Sequence, residues 1–234
     1  MRNIFQVKTG IQVPIHIMYL DLGQVPARYQ INRFKVNFLQ YILQQNESSL
    51  LYKMLRAQQE LPVKGDWFSD VKTTLQQMGI HLTIEEIRHM KRTDFRKISK
   101  TACEKKALSD LKQKQEKGSK GRNIHYEDKF MMADYLCPNN QLSVEDQRIV
   151  FQIRSRTNPI QANIGKTQLC PTGCGNFLEN PHIISCEILN PESKFDMNNL
   201  LNGSLNEIRI SLIQWKENMK KIEKIYSMDS FIEC

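Results

Sequence analysis

Four residues of this sequence have the types and the spacing for coordination chemistry. Cys170-Pro171-Thr172-Gly173-Cys174 is followed by His182 and Cys186, a C-x3-C-x7-H-x3-C arrangement. Three thiolates and one imidazole close a tetrahedral shell around zinc and leave no open position for a substrate water. Such a site organises folding rather than performing a reaction. Gly173 and Gly175 free the backbone to turn the first two sulfurs toward one point, and Pro181 is placed to direct His182 back to it. One structural zinc ion is the cofactor the pattern implies. The plain alternative is four unrelated residues in a loop, because closely spaced cysteine pairs are common and C-x2-C is the more usual first half of a zinc site.

The other candidate ligands stand apart. Cys103, Cys137 and Cys234 have no partner at ligand spacing and read as ordinary thiols. His16, His81, His89 and His125 are isolated. The second chemical signal is charge. The chain carries a net charge of +8, and residues 88–122 alone hold 13 Lys and Arg against 4 Asp and Glu. The basic character therefore belongs to one segment. Lys91, Arg92, Arg96, Lys97 and Lys100 fall close enough to place several on one helical face, where they could neutralise the phosphates of RNA or DNA. Arg154 and Arg156 precede the cysteine cluster and could join the same surface. The competing reading is a solvated helix face.

These residues must be positioned by helices. Over residues 28–44 apolar side chains recur at Ile31, Phe34, Phe38 and Ile42, with Leu39 and Leu43 beside them, the steps of one helical face. Residues 47–58 repeat the pattern with Leu50, Leu51, Met54 and Leu55. Trp67, Val71, Leu75 and Met78 form another stripe, closed by Gly79 at the C-terminal cap position. Thr83 with Glu86 is a capping box before Ile84, Ile87 and Met90. A long helix over about 94–117 is expected to bury Phe95, Ile98, Ala102, Leu108 and Leu111. Residues 126–136 are expected to be helical. A helix capped by Ser143 runs through Val150 and Ile153, and residues 158–203 look irregular. A last helix, opened by Ser204 and Glu207, carries a heptad-like seam of Leu205, Ile208, Leu212, Trp215, Met219, Ile222 and Tyr226.

The fold class expected is mostly α: a helical N-terminal region, a small irregular zinc-knuckle-like C-terminal part and a terminal amphipathic helix. The expected divisions are 1–117, a linker at 118–125 around Gly118-Ser119-Lys120-Gly121, the cluster-bearing part at 126–203 and the terminal helix at 204–234. Composition is that of a globular protein, 40% hydrophobic and 25% charged. No stretch approaches the ~20 apolar residues of a membrane helix, and Met1-Arg2-Asn3-Ile4-Phe5 does not open a signal peptide. An intracellular place, nuclear or cytoplasmic, is expected, with the six cysteines as thiols or metal ligands.

Several runs together resemble a known family. Tyr19-Leu20-Asp21-Leu22-Gly23-Gln24-Val25-Pro26-Ala27-Arg28-Tyr29 looks like the L-E-L-G-x-x-P-I-R-Y stretch that follows the polymerase thumb in LINE-type (non-LTR) retrotransposon reverse transcriptases. Arg33-Phe34-Lys35-Val36-Asn37-Phe38-Leu39, Ser49-Leu50-Leu51-Tyr52-Lys53-Met54 and Lys64-Gly65-Asp66-Trp67 follow as in those elements. Phe151-Gln152-Ile153-Arg154-Ser155-Arg156 is similar to the family's F-K-I-R-T-R. The cluster stands where the family has C-P-x-C and H-L-L-x-C, with one extra residue in the first pair. The resemblance spans residues 14–186, about three quarters of the chain.

The resemblance implies a region downstream of a polymerase, binding element RNA or target DNA through its cysteine–histidine part. The polymerase signature, an aromatic residue followed by Ala-Asp-Asp whose carboxylates hold two magnesium ions, is missing. Met132-Ala133-Asp134-Tyr135 has one carboxylate and no aromatic residue in front. The chain is therefore expected to be non-catalytic, with RNA or DNA as partner, no small-molecule substrate, no membrane, and a monomeric state. Two other readings remain at this point: a protein-interaction module using the 205–226 seam, and a decayed retroelement remnant.

Overall fold

The computed structural model describes residues 14–61, 63, 65–118, 123–155, 169–176, 180–189, 191 and 197–229. Among them the chain is helical and holds no β-strand. The helices are α1 (Ile15–Asp21), α2 (Ala27–Leu43), α3 (Leu50–Glu60), α4 (Trp67–Gln77), α5 (Ile84–His89), α6 (Arg92–Lys117), α7 (Val144–Arg154), α8 (Asn180–Ser185), α9 (Met197–Asn202) and α10 (Leu205–Asp229), with a 3-10 turn at Asp134–Leu136. Among the described residues no helix is long and apolar enough to cross a membrane.

The chain divides into two compact units. One holds Gly23–Gln113 with 128–130, and the other holds α1 through Leu22, residues 114–127 and the chain from Met131 on. Their cores are separate clusters of buried side chains. The grouping differs from a cut at residue 118 in where α1 belongs, for a reason that lies in Asp21 and is given below.

In the Gly23–Gln113 unit, local signals set the helix ends. Ser49 accepts from the Tyr52 N–H at 3.2 Å and Asp66 from the Ser69 N–H at 2.6 Å. Thr83 and Glu86 form the expected capping box; such caps stabilise by about 1 kcal/mol each. Gly79, at φ 71°, ends α4 with its N–H on the Gln76 carbonyl and the Ile80 N–H on the Leu75 carbonyl. That is the six-to-one, five-to-two pattern of a Schellman motif, which needs a left-handed residue at this position.

α2 and α3 bury faces other than those the sequence suggests; in α3 Tyr52 and Leu55 are buried, while Leu50, Leu51 and Met54 are exposed. α2 packs through Tyr29, Val36, Leu39, Ile42 and Leu43, while Ile31, Phe34, Phe38 and Tyr41 are 60, 60, 44 and 40% exposed. α6 buries Phe95, Leu108 and Leu111 as expected, together with Ser99, Cys103 and Ala107; of the expected set Ala102 is half-buried and Ile98 is exposed. α2 packs against α4, α3 and α5 and touches α6 through two polar side chains. The Ser99 hydroxyl donates to Asn37 Oδ1 at 2.8 Å and Cys103 Sγ reaches the Tyr29 carbonyl at 3.2 Å. Buried Gln40 fastens the next elements, donating to the carbonyls of Ile87 and Met90 at 3.3 and 3.0 Å.

In the other unit the seam of α10 is its largest apolar contribution. Ile208, Leu212, Trp215, Met219 and Ile222 all lie in one core with Val150 and Phe151 of α7, Ile183 and Ile184 of α8 and Leu200 of α9. The Tyr226 side chain and Cys234 lie outside the described residues, as do 119–122 of the expected linker. Two expectations are corrected here. Residues 126–136 carry only the short 3-10 turn, not a helix. The 158–203 stretch is not wholly irregular, since α8 and α9 supply buried leucine and isoleucine side chains.

Candidate metal centre

The tight turn at 170–176 brings the first two sulfurs together. The Cys170 N–H donates to the Asn176 carbonyl at 2.8 Å and the Gly173 N–H to the Cys170 carbonyl at 3.1 Å. Gly173 and Gly175 take φ of 77° and 80°, the left-handed region where a side chain would be strained. α8 then presents His182, and Cys186 follows its last residue. Asn218, a buried polar side chain of α10, donates to the Ile183 carbonyl at 2.6 Å, next to His182. Lys221 holds the Leu189 carbonyl at 2.6 Å. α10 thus fixes the half of the cluster that contains His182 and Cys186.

The four ligand atoms of Cys170, Cys174, His182 and Cys186 lie within 4.8 Å of one another. Cys174 Sγ is 3.1 Å from His182 Nε2. The Thr172 hydroxyl sits between the other two thiols, 3.1 Å from Cys170 Sγ and 3.7 Å from Cys186 Sγ. Cys170 and Cys186 are buried in the hydrophobic core, while Cys174 and His182 are half-buried. A tetrahedral metal at about 2.0–2.3 Å from each ligand sets ligand separations of roughly 3.3–3.8 Å. The cluster needs to close by only about an ångström at its widest to meet that. The residues fit a metal ion, and they can surround it completely.

Electrostatics differ between the two ends of the turn. Burial pushes the Cys170 thiol up. Burial also opposes ionisation of Cys174, but the Asn176 N–H, the Thr172 hydroxyl, the Cys170 thiol and His182 together bring it down to about 6. Cys174 is then a thiolate at neutral pH, the form that binds metal.

The basic residues are only partly gathered. Lys91, Arg92, Arg96, Lys97 and Lys100 are all exposed. Arg92, Arg96 and Lys100 follow at four-residue steps and share one edge of α6. Arg92 donates from Nε to Gln44 Oε1 at 3.0 Å, and Lys100 is 3.9 Å from Glu104. Lys97 is on another side, lining an open groove with Gly79 and His81.

Arg154 is a correction. It is 6% exposed, and its guanidinium meets Asp21 Oδ1 at 2.9 Å and Oδ2 at 3.3 Å while donating to the Leu201 carbonyl. A guanidinium sealed beside a buried carboxylate has no face left for a phosphate. Arg156 lies outside the described residues.

No protein-family model, curated protein or solved structure matches this chain. Fold and site define a mostly helical protein with a Cys3His cluster that could hold a metal ion.

Proposed function

We propose that the chain is a zinc-organised, non-catalytic nucleic-acid-binding module of the kind found downstream of the polymerase in LINE-type retrotransposon reverse transcriptases. The observation that carries the binding role is the exposed basic edge of α6, with Arg92, Arg96 and Lys100 at four-residue steps. It belongs to the segment that holds the whole excess of positive charge. The retroelement reading is supported by the order of the runs from Tyr19 to Cys186. Zinc is supported by the donor set: three sulfurs and one nitrogen at tetrahedral reach select zinc over the oxygen-seeking cations.

A closed four-ligand site leaves no coordination position for a reacting water, and Asp134 has no second carboxylate beside it in sequence. The chain given a primed RNA template, nucleotides and magnesium is expected to extend nothing. Extension that Asp134→Ala abolishes would overturn the non-catalytic reading. Burial of five of the seven seam residues of α10 in their own unit's core supports this reading over an interaction module that uses the seam.

The binding role is tested by salt. Affinity for nucleic acid should fall linearly in log–log form, with a slope of roughly 0.7–0.9 per phosphate contact. Changing Arg92, Arg96 and Lys100 together to Gln should lower that slope by about two to three. Equal slopes for wild type and the triple variant would remove α6 from the interface.

A further inference from the structure

α2 shows solvent a row of side chains that belong by type in a core. Ile31, Phe34, Phe38 and Tyr41 follow at steps of three, four and three, which lines them along one face over about 15 Å of helix. The rings are ordered among themselves. Phe38 and Tyr41 stack with centroids 5.9 Å apart and planes at 13°, and Phe38 meets Trp67 of α4 edge-on at 5.7 Å and 77°.

Cations lie directly on this row. The Arg92 guanidinium is 5.3 Å from the Tyr41 centroid, and that of Arg33 is 5.2 Å from the Phe34 centroid. Lys35, on the same helix, is held at 2.6 Å from Asp70. Arg92 also begins the basic edge of α6. Protein interfaces also gather aromatic rings and arginine, so the rings alone do not choose an occupant; the segment that starts near Arg92 also holds the chain's excess of positive charge. Here positive charge sits over the rings themselves, and the complementary occupant presents both flat π faces and negative charge.

Nucleic acid has that chemistry, and only in its single-stranded form. Every unpaired base offers a face to an aromatic ring, and the adjacent phosphates meet arginine. In a duplex the base faces are covered by neighbouring pairs, so the rings gain nothing and only the charges contribute. We propose that the Phe34–Phe38–Tyr41 face of α2, with Arg92 and Arg33, is a stacking platform for single-stranded nucleic acid. The proposal rests on the nucleic-acid reading above and adds to it the form of the strand and the residues that read it.

The test uses the full chain and fluorescein-labelled oligo-deoxythymidine, oligouridine and a mixed-sequence duplex, followed by anisotropy at fixed salt. Phe38→Ala and Tyr41→Ala should each weaken single-strand binding by about tenfold and leave duplex binding and the salt slope unchanged. Tyr41→Phe, which keeps the ring, should bind as wild type. Both side chains are exposed, so unchanged thermal midpoints are expected and certify the fold. Unchanged single-strand affinity in Phe38→Ala and Tyr41→Ala, with loss in the α6 triple variant, overturns the platform and leaves the charge-based reading standing. Absence of any binding by wild type overturns both. A wild-type dimer that Phe34→Asp with Phe38→Asp converts to monomer assigns the face to a second copy and also overturns the proposal.

Discussion

Replacing Asp21 with Asn is expected to cost the unit that contains α10 about 3–5 kcal/mol, the penalty of leaving a buried charge unpaired. Asp21 is completely buried. Its carboxylate accepts from Tyr135 Oη at 2.6 Å, Tyr126 Oη at 2.8 Å and Arg154 Nη2 at 2.9 Å. The guanidinium of Arg154 packs 5.7 and 5.4 Å from the centroids of those same two rings. Burial opposes the charge on Arg154, yet the Asp21 carboxylate beside it raises its pKa above the ordinary value. The Asn variant strands that guanidinium, and Arg154→Met strands the carboxylate. Asp21→Leu with Arg154→Met removes both charges but leaves the Tyr135 and Tyr126 hydroxyls without this acceptor, so it should recover only part of the loss.

The chain has two tryptophans; Trp215 is in this unit's core and Trp67 packs against the other. Denaturant unfolding in a Trp67→Phe background therefore reports this unit alone. Single variants that cost under about 1 kcal/mol, the range of exposed pairs, would show that the network is open to water. The phenols add a pH signature. Burial first, and then the Asp21 charge, raise the pKa of both Tyr126 and Tyr135 above 10.0. A folded-state pKa above the unfolded one gives stability that is complete below about pH 10 and is lost as pH rises beyond it.

That network explains why α1 groups with the far half of the chain, and it also marks the limit of sequence reading. Asp21 and Arg154 stand 133 positions apart. No local pattern links them, so Arg154 reads as one more cation beside Arg156. Capping was legible because it is local. Thr83 with Glu86, Ser204 with Glu207, Ser143 with the Asp146 N–H and Gly79 after α4 all do what their spacing suggests. The face that α4 and α10 bury was legible too, but that of α2 was harder to read. α2 carries two apolar stripes, Ile31–Phe34–Phe38 and Tyr29–Val36–Leu39–Leu43, and periodicity alone cannot choose between them. The structure buries the second stripe, in one core with side chains of α3, α4 and α5. The Cys/His cluster was legible because cysteine and histidine at short spacing carry their own geometry. What supports it was not. Asn218 stands among the apolar positions of α10, and its polarity there is a sequence signal that something other than packing is needed. Its partner, the Ile183 carbonyl, appears only in three dimensions.

Chain purified under reducing, zinc-replete conditions is expected to carry one zinc ion, and Cys186→Ser is expected to lose it. Cys186 decides the outcome because it is fully buried in the same core as Ile183, Ile184 and Leu200. A serine oxygen there is a weak zinc ligand and also a polar atom placed among apolar side chains, so both metal and packing suffer. Structural zinc contributes apparent binding free energy of about 10 kcal/mol or more, and where the site forms only on folding that is folding free energy. Its loss should loosen residues 169–189, seen as faster amide exchange across the 170–176 turn and α8. Exchange over α2 to α5 should stay as it was, since those helices build a separate core. Cys137→Ser serves as the control: this thiol lies outside the cluster, and its variant should keep the metal. Elemental analysis that finds no zinc in the wild-type protein would end the zinc assignment. Full zinc content in Cys186→Ser would instead exclude Cys186 as a ligand.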